Sequence, residues 1–312
     1  MTNKLVPLAA ALLLPLGVPA SAQMTCDEAP VMLQVLGSGG PSGVGRASAG
    51  YLIWIDGVSR IMVDAGGGTF TRFHEAGARI GDLDLLALSH FHPDHSSEVP
   101  ALFWIKTTSL KISGPSGSAG FPSLDEYVSG LFGTEGVFRA VSTMAEFETA
   151  TVDVSLPEPT EVFSEGTVRV RGLGVPHGNV PAIGYRVDIG DVSVAFSSDQ
   201  NGSDPAFAEF ASGVNVLVVH AAVREQATGI GSRLHAKPSV WGQMATNAAA
   251  KTLVLSHLSG IVPRDTNASV ESSEGQRPRL SERLANVRSR YSGPVITAED
   301  LMCIPIVASG GR

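Results

Sequence analysis

Ser89-His90-Phe91-His92-Pro93-Asp94-His95 is an H-x-H-x-D-H cluster that follows the apolar run Leu83 to Leu88. The run predicts a buried strand leading straight into the cluster. Three imidazoles and a carboxylate so close together are costly to hold unless a cation organises them. Imidazole nitrogen and carboxylate oxygen are the ligands that zinc and similar transition metals take. The alternation predicts that a tight loop aims His90 and His92 at one metal and swings Asp94 and His95 toward a second.

Candidates of the same kind recur at the ends of later apolar runs. His177 lies in Gly174-Val175-Pro176-His177-Gly178, Asp199 follows Ala195-Phe196-Ser197-Ser198, and His257 follows Leu253-Val254-Leu255-Ser256. A lone strand-end histidine is more often a hydrogen-bonded residue than a ligand. As a set after the first cluster, these residues predict a dinuclear site. His90, His92 and His177 take one metal, Asp94, His95 and His257 the other, and Asp199 bridges them. A place remains for a bridging hydroxide, the open position that separates a catalytic metal site from a closed structural one. His220 closes another apolar run and is either a partner that orients a ligand or a core histidine; it stays outside the set. His74 falls in a predicted helix far from the motifs.

Around these residues the rhythm is strand, turn, strand, with helices interposed. Strands are expected at Val31–Leu36, Gly50–Ile55 and Arg60–Val63, the last two forming a hairpin around Asp56-Gly57. Further strands are expected at Leu110–Ile112, Thr167–Leu173, Ala182–Val187, Val192–Phe196, Val214–Val219 and Leu253–Leu255, with a terminal strand pair. Helices are expected at Phe70–Gly77, Ser97–Ile105, Ser239–Lys251 and Leu280–Arg290, and after Asp204-Pro205 as far as Ala211. The glycine turn Asp64-Ala65-Gly66-Gly67-Gly68-Thr69 lacks the G-K-[ST] of a phosphate loop. Residues 259–278 are polar and read as a loop beside the site.

The chain has 312 residues, 43% of them hydrophobic and 17% charged, which fits a globular core and not a disordered chain. A net charge of −8 gives no general attraction to nucleic acid or anionic membrane. Residues 1–22 read as an export signal, with Lys4, the apolar stretch Leu5 to Val18, and the small-residue site Ala20-Ser21-Ala22. A mature domain over 23–312, exported to the periplasm or medium and without stable membrane association, is the expectation. Its two cysteines, Cys26 and Cys303, form a disulfide candidate in an oxidising compartment, with unpaired buried thiols as the alternative.

In identity and order, the seven candidate ligands resemble the dinuclear signature of the metallo-β-lactamase superfamily. Leu36-Gly37-Ser38-Gly39-Gly40 with Arg46 and Ser48, Asp64-x-Gly66-x-Gly68-Thr69, His177-x-x-Val180-Pro181-x-x-Gly184-Tyr185-Arg186 and His235 are similar to its ribonuclease Z-like branch. The resemblance covers essentially all of the mature chain. It implies an αββα four-layer sandwich, an α/β fold of two mixed β-sheets with helices on the outer faces and metals at one edge. It also implies that His235 donates a proton to the leaving group, while Asp94 serves the chemical step as a ligand. Two divalent metal ions are implied, zinc first, with manganese or iron on the same ligand set.

Substrate expectations follow from where the chain departs from that branch. Ribonuclease Z proper grips tRNA with a protruding basic arm, but between Ala101 and Arg171 the only basic residues are Lys106, Lys111, Arg139, Arg169 and Arg171. His220-Ala221-Ala222 stands where the tRNA enzymes commonly read His-Glu-Ala. With export and negative charge, this argues against an RNA substrate, whose binding draws on clustered cations. The expected activity is hydrolysis of a small phosphodiester or related ester, such as an aryl sulfate, by a metal-bridging hydroxide. Acyl hydrolysis of a lactone, thioester or β-lactam, and tRNA 3′-processing, are the alternatives. A metal-binding protein without turnover or an iron oxidoreductase comes last. The expected partner is a small-molecule ester, with a homodimer left open.

Overall fold

The computed structural model describes residues 26–104, 110–143, 147–258 and 273–308. The expected leader lies outside these residues, and so does the expected loop as far as 272. From Ser273 the chain is helical, not looped.

The strands alternate so that both faces of each sheet are apolar, the pattern of sheets covered on two sides. The first sheet is built from β1 (Val31–Gly37), β2 (Gly50–Ile55), β3 (Val58–Val63), β4 (Leu85–Ala87), β5 (Leu110–Pro115) and β6 (Phe147–Val152). The second is built from β7 (Thr160–Glu165), β8 (Val168–His177), β9 (Val180–Ile189), β10 (Val192–Phe196), β11 (Val216–His220), β12 (Thr252–Ser256) and β13 (Val295–Thr297). β14 (Cys303–Pro305) returns to pair with β1, giving seven strands in each sheet. Leu33, Val35, Tyr51 and Ile53 of the first sheet meet Ile183, Tyr185, Val187, Val194 and Phe196 of the second in one inter-sheet core. Met32, Leu52 and Met62 point the other way, against Phe73 and Phe103. Leu217, Val219 and Leu255 pack on the outer side against Phe207 and Trp241. The αββα sandwich implied by the resemblance is the fold observed.

Strand direction is what positions the site. β3, β4, β5 and β6 run parallel in one sheet, and β10, β11, β12 and β13 run parallel in the other. Parallel α/β sheets bind ligands at the carboxyl ends of their strands. Asp64 follows β3, His90 follows β4, Asp199 follows β10, His220 ends β11 and His257 follows β12.

Several local expectations are corrected. The two terminal strands do not pair with each other, because β13 joins β12 while β14 crosses to β1. Between them, the Asp300 carboxylate accepts from Ser38 N (3.0 Å), Ser38 Oγ (2.7 Å) and Ala47 N (2.7 Å). Arg46 joins this tie by donating to Ser38 Oγ and the Ala298 carbonyl. The stretch after β5, which had no assigned structure, holds the helix Leu124–Phe132 beneath a capping box of Ser123 and Glu126, and then β6 and β7. The expected Ser97–Ile105 helix is two short ones, Pro93–Ser96 and Val99–Trp104, so Asp94 and His95 sit in a helical turn and not in a loop. The remaining helices are shorter or shifted by a few residues, as at Thr69–Glu75, Ala206–Phe210 and Pro238–Asn247. No helix among the described residues is long and apolar enough to cross a membrane.

Cys26 and Cys303 are joined in a disulfide, with their Cα atoms 5.6 Å apart. The link fastens the segment before β1 to β14, closing a loop of 277 residues in sequence separation. Constraining so long a loop in the unfolded chain stabilises the fold. Replacing both cysteines by serine should lower the unfolding free energy by about 2–5 kcal/mol in denaturant titrations. The native chain, unfolded without reductant, should show no thiol reactive with an alkylating reagent.

Candidate metal centre

His90, Phe91 and His92 leave β4 in an extended run, so the two imidazoles fall on one side of the chain. Their facing atoms, Nε2 of His90 and Nδ1 of His92, lie 3.0 Å apart. His92 is then the N-cap of the short Pro93–Ser96 helix, with Pro93 opening it. That turn aims Asp94 and His95 Nε2 at His257, although the His95 ring stays beside His90, with centroids 4.1 Å apart. His95 Nε2 lies 3.2 Å from His257 Nε2 and 3.6 Å from Asp94 Oδ2, and His257 Nε2 is 3.2 Å from Asp94 Oδ2.

Asp199 stands between the two groups. Its Oδ2 is 3.8 Å from His177 Nε2 and 3.6 Å from His95 Nε2, and its Oδ1 is 3.5 Å from His257 Nε2. Ligating atoms of His90, His92 and His177 form one compact group, those of His95, Asp199, His220 and His257 another, and His177, Asp199 and His235 a third. All seven residues expected at the site are thus brought together.

Each ring is aimed by what its other nitrogen meets. His177 Nδ1 faces the Leu234 carbonyl at 2.9 Å, which turns Nε2 inward. His95 Nδ1 faces Asp64 Oδ2 at 2.8 Å, and the same carboxylate accepts from Ser89 N and Ser89 Oγ. Such partners fix the tautomer and orientation of metal-binding histidines. The orienting role of Asp64 was not legible in sequence, where it read as the start of a glycine turn. That turn is instead the bed for the helical turn, since a Cβ on Gly66 would lie 2.1 Å from the Asp94 carbonyl oxygen. The amides of Gly68 and Phe70 donate to the chain's own Glu98 carboxylate, so no phosphate loop is formed.

His220 resolves into an orienting residue. Its Nδ1 is 2.8 Å from Asp199 Oδ1, and its Nε2 is 3.1 Å from the Tyr51 hydroxyl, which donates to Ser256 Oγ. With both nitrogens engaged, it holds the carboxylate and is not itself free to ligate. His235, 17% exposed, turns Nδ1 toward Asp199 Oδ2 at 3.7 Å. His74 instead stacks edge-on with Phe70 and Phe73, away from the centre.

The electrostatics suit a cation. Burial opposes ionisation of Asp199, but the His257 and His95 imidazoles and the His220 hydrogen bond outweigh it and hold the carboxyl well below its usual range. Asp94, also buried, is brought down to about 2 by the His257 hydrogen bond and the neighbouring imidazoles. Burial, then His95, pushes His90 well below the ordinary imidazole value, and burial lowers His92 and His177 too. His95 runs the other way: burial opposes its charge, but Asp64 and Asp199 raise it well above the ordinary imidazole value, so before metal binds this ring holds a proton that the metal would have to displace. His177 Nε2 is buried without a hydrogen-bond partner. An orphaned nitrogen pointed into a cluster of ligating atoms fits a divalent ion.

The comparisons with known proteins agree with this geometry. The family model described as "Beta-lactamase superfamily domain" matches residues 59–258. A ribonuclease Z of Nocardia farcinica is 26% identical over 302 residues, covering 84% of this chain and 92% of that protein. Among solved structures, the metallo-β-lactamase fold protein YhfI from Bacillus subtilis has a TM-score of 0.67 at 20% identity, covering 89% of this chain and 99% of its own. The short form of human tRNase Z has a TM-score of 0.66 at 18% identity, with 88% and 99% covered. With its family match spanning residues on both sheets and reaching from β3 to His257, this chain belongs to the β-lactamase superfamily, as a ribonuclease Z-like, metal-dependent hydrolase.

Proposed function

We propose that the protein hydrolyses a small phosphodiester or a related ester, such as an aryl sulfate, with two divalent cations, zinc first. The observation that carries this reading is Asp199, whose two oxygens reach imidazoles of both groups. His90, His92 and His177 would hold one cation, Asp94, His95 and His257 the other, and Asp199 both. When bound, such a pair acidifies a water to a pKa of about 7 and neutralises charge developing on the attacked centre.

The chain's own residues do the rest. Asp64 and the Leu234 carbonyl keep His95 and His177 aimed inward, and His220 keeps Asp199 from rotating. His92 and His235 are half-buried, whereas His90, His95, His177 and His257 are buried, so substrate enters on the side of that pair. Burial brings His235 down to about 4, and it therefore rests neutral. An anionic ester arriving beside it raises its proton affinity. His235 then takes up a proton from solvent, passes it to the leaving oxygen and returns to the neutral ring.

A second reading, tRNA 3′-end processing, draws on the relatives named ribonuclease Z. Against it, the segment between β5 and β6 packs a helix on the first sheet, with no protruding basic arm among the described residues. The hollows bordering His92 and His177 are lined by no lysine or arginine. Action outside the cytoplasm is supported by the leader pattern and by the disulfide. Protein recovered from periplasm or medium should begin near Gln23, and an intact leader on active protein would count against export.

Elemental analysis of metal-replete protein should find about two divalent ions per chain. Asp199→Ala should lose at least one of them together with nearly all turnover, and no more than one ion in the native protein would sink the bridged arrangement. His235→Ala should keep both metals while turnover falls by a factor of about 10²–10⁴. That loss should shrink as the leaving group becomes more acidic, because a stable phenolate hardly needs a proton. An equal loss across leaving groups would rule out proton donation. Bis(p-nitrophenyl) phosphate, p-nitrophenyl sulfate, nitrocefin, a lactone and a precursor tRNA, assayed side by side, separate the substrate classes.

A further inference from the structure

A hollow of about 160 Å3 opens beside His92, walled by Phe91, Phe121, Tyr127, Val180 and Pro181. Its size is the first clue. An apolar cavity of about 150 Å3 accepts one benzene ring. The walls are also held in place. Phe91 and Tyr127 stack face to face, with centroids 4.2 Å apart and planes within 3°. The Tyr127 hydroxyl donates to the Ser96 carbonyl at 2.8 Å, which leaves its ring as the lining surface. Gly114 admits the stack, since a Cβ there would lie 3.1 Å from Phe91 Cζ.

The pocket is interleaved with the candidate metal centre. Phe91 sits between His90 and His92 in the chain. Val180 is the cross-strand partner of His177, joined to it by the turn through Gly178 and Asn179. The distance from this wall to the ligands is therefore set by one peptide step on one side and by one hairpin on the other. His92, whose Nδ1 faces His90, is the one candidate ligand among the lining residues, and no lysine, arginine or carboxylate lines the hollow. A larger apolar hollow of about 590 Å3, which shares Phe91 and Tyr127 as lining, includes none of the seven candidate ligands.

We infer that this pocket is a specificity site that takes one ring-sized apolar group of the ester, an aryl group or its equivalent, while the reacting centre sits at the metals. The inference rests on the small-ester reading above and narrows it to esters bearing such a group. Val180, half-buried on a strand and paired across it with His177, and Phe121, half-buried, are the wall residues through which it can be changed without replacing a candidate ligand.

The test is binding, by calorimetry, of two non-hydrolysable anions to zinc-replete protein, phenylphosphonate and methylphosphonate. The native protein should bind phenylphosphonate about tenfold or more tighter, the gain expected from burying a ring. Val180→Trp, which fills the pocket, should reduce that preference to about threefold or less while the protein still binds zinc and methylphosphonate. Phe121→Ala, which removes a wall, should reduce it too, so the result does not hang on one variant's folding. Equal affinities in the native protein, no binding of phenylphosphonate, or a preference that survives both substitutions would overturn the inference. A clear phenyl preference in a protein that cleaves no phosphodiester or sulfate ester would instead keep the pocket and reject the small-ester reading.

Discussion

Asp199 is a carboxylate almost without access to water, surrounded by imidazoles from both sheets, and the local structure is arranged around keeping it there. Burying a charge is costly unless partners surround it. Burying several imidazoles with nitrogens facing one another is costly as well, since neutral rings can satisfy only some of those contacts. The proposed pair of cations would convert both costs into bonds. The surrounding polar groups are then second partners to the ligands. Asp64 holds His95, the Leu234 carbonyl holds His177, and His220 holds Asp199 with Tyr51 behind it.

That arrangement demands a rigid frame, and the backbone shows where the demand falls. Asp64, Ser198 and His257 all have positive φ without being glycine. Such residues cost about 1–3 kcal/mol each and persist where the surroundings over-determine them. Here each lies where a parallel strand ends and the chain must turn at the centre. The two sheets are held in register beside it by buried tyrosines. Tyr51 spans from the first sheet to His220 and Ser256, and Tyr185 spans from the second to Ser113 and the Leu88 carbonyl. At the far end of the chain, Asp300 and the Cys26–Cys303 link bind the last strand to the first.

The apolar pocket beside His92 belongs to the same economy of chain. Phe91 is placed by the extended run that places the two histidines, and Val180 by the hairpin that places His177. Residues that choose a substrate and residues that would act on it are therefore coupled through the backbone. A change of specificity need not disturb the centre, provided that it is made at the pocket's outer walls.

Much of this was legible in the residues alone. H-x-H-x-D-H is local chemistry, and its spacing requires only an extended step and a proline-started turn, which Pro93 supplies within the motif itself. The hairpin at Asp56-Gly57 was legible for the same reason, since both residues take the positive φ that such a turn requires. The Ser123/Glu126 capping box was there to be read as the start of a helix. β7 carries too few buried residues to stand out. What the sequence alone determined was the set of candidate ligands, which depends on residue type and strand-end position, and the layered fold class only through the family resemblance that those residues carry. What only the tertiary structure decided was the partnership of residues far apart in the chain. Asp64 meets His95 because β3 and β4 are parallel neighbours, and His220 meets Asp199 because β11 lies beside β10. The terminal strands separate into two sheets because each finds an open edge of a different one. Strand order and register are set by the packing of the whole core, and no local run of residues encodes them.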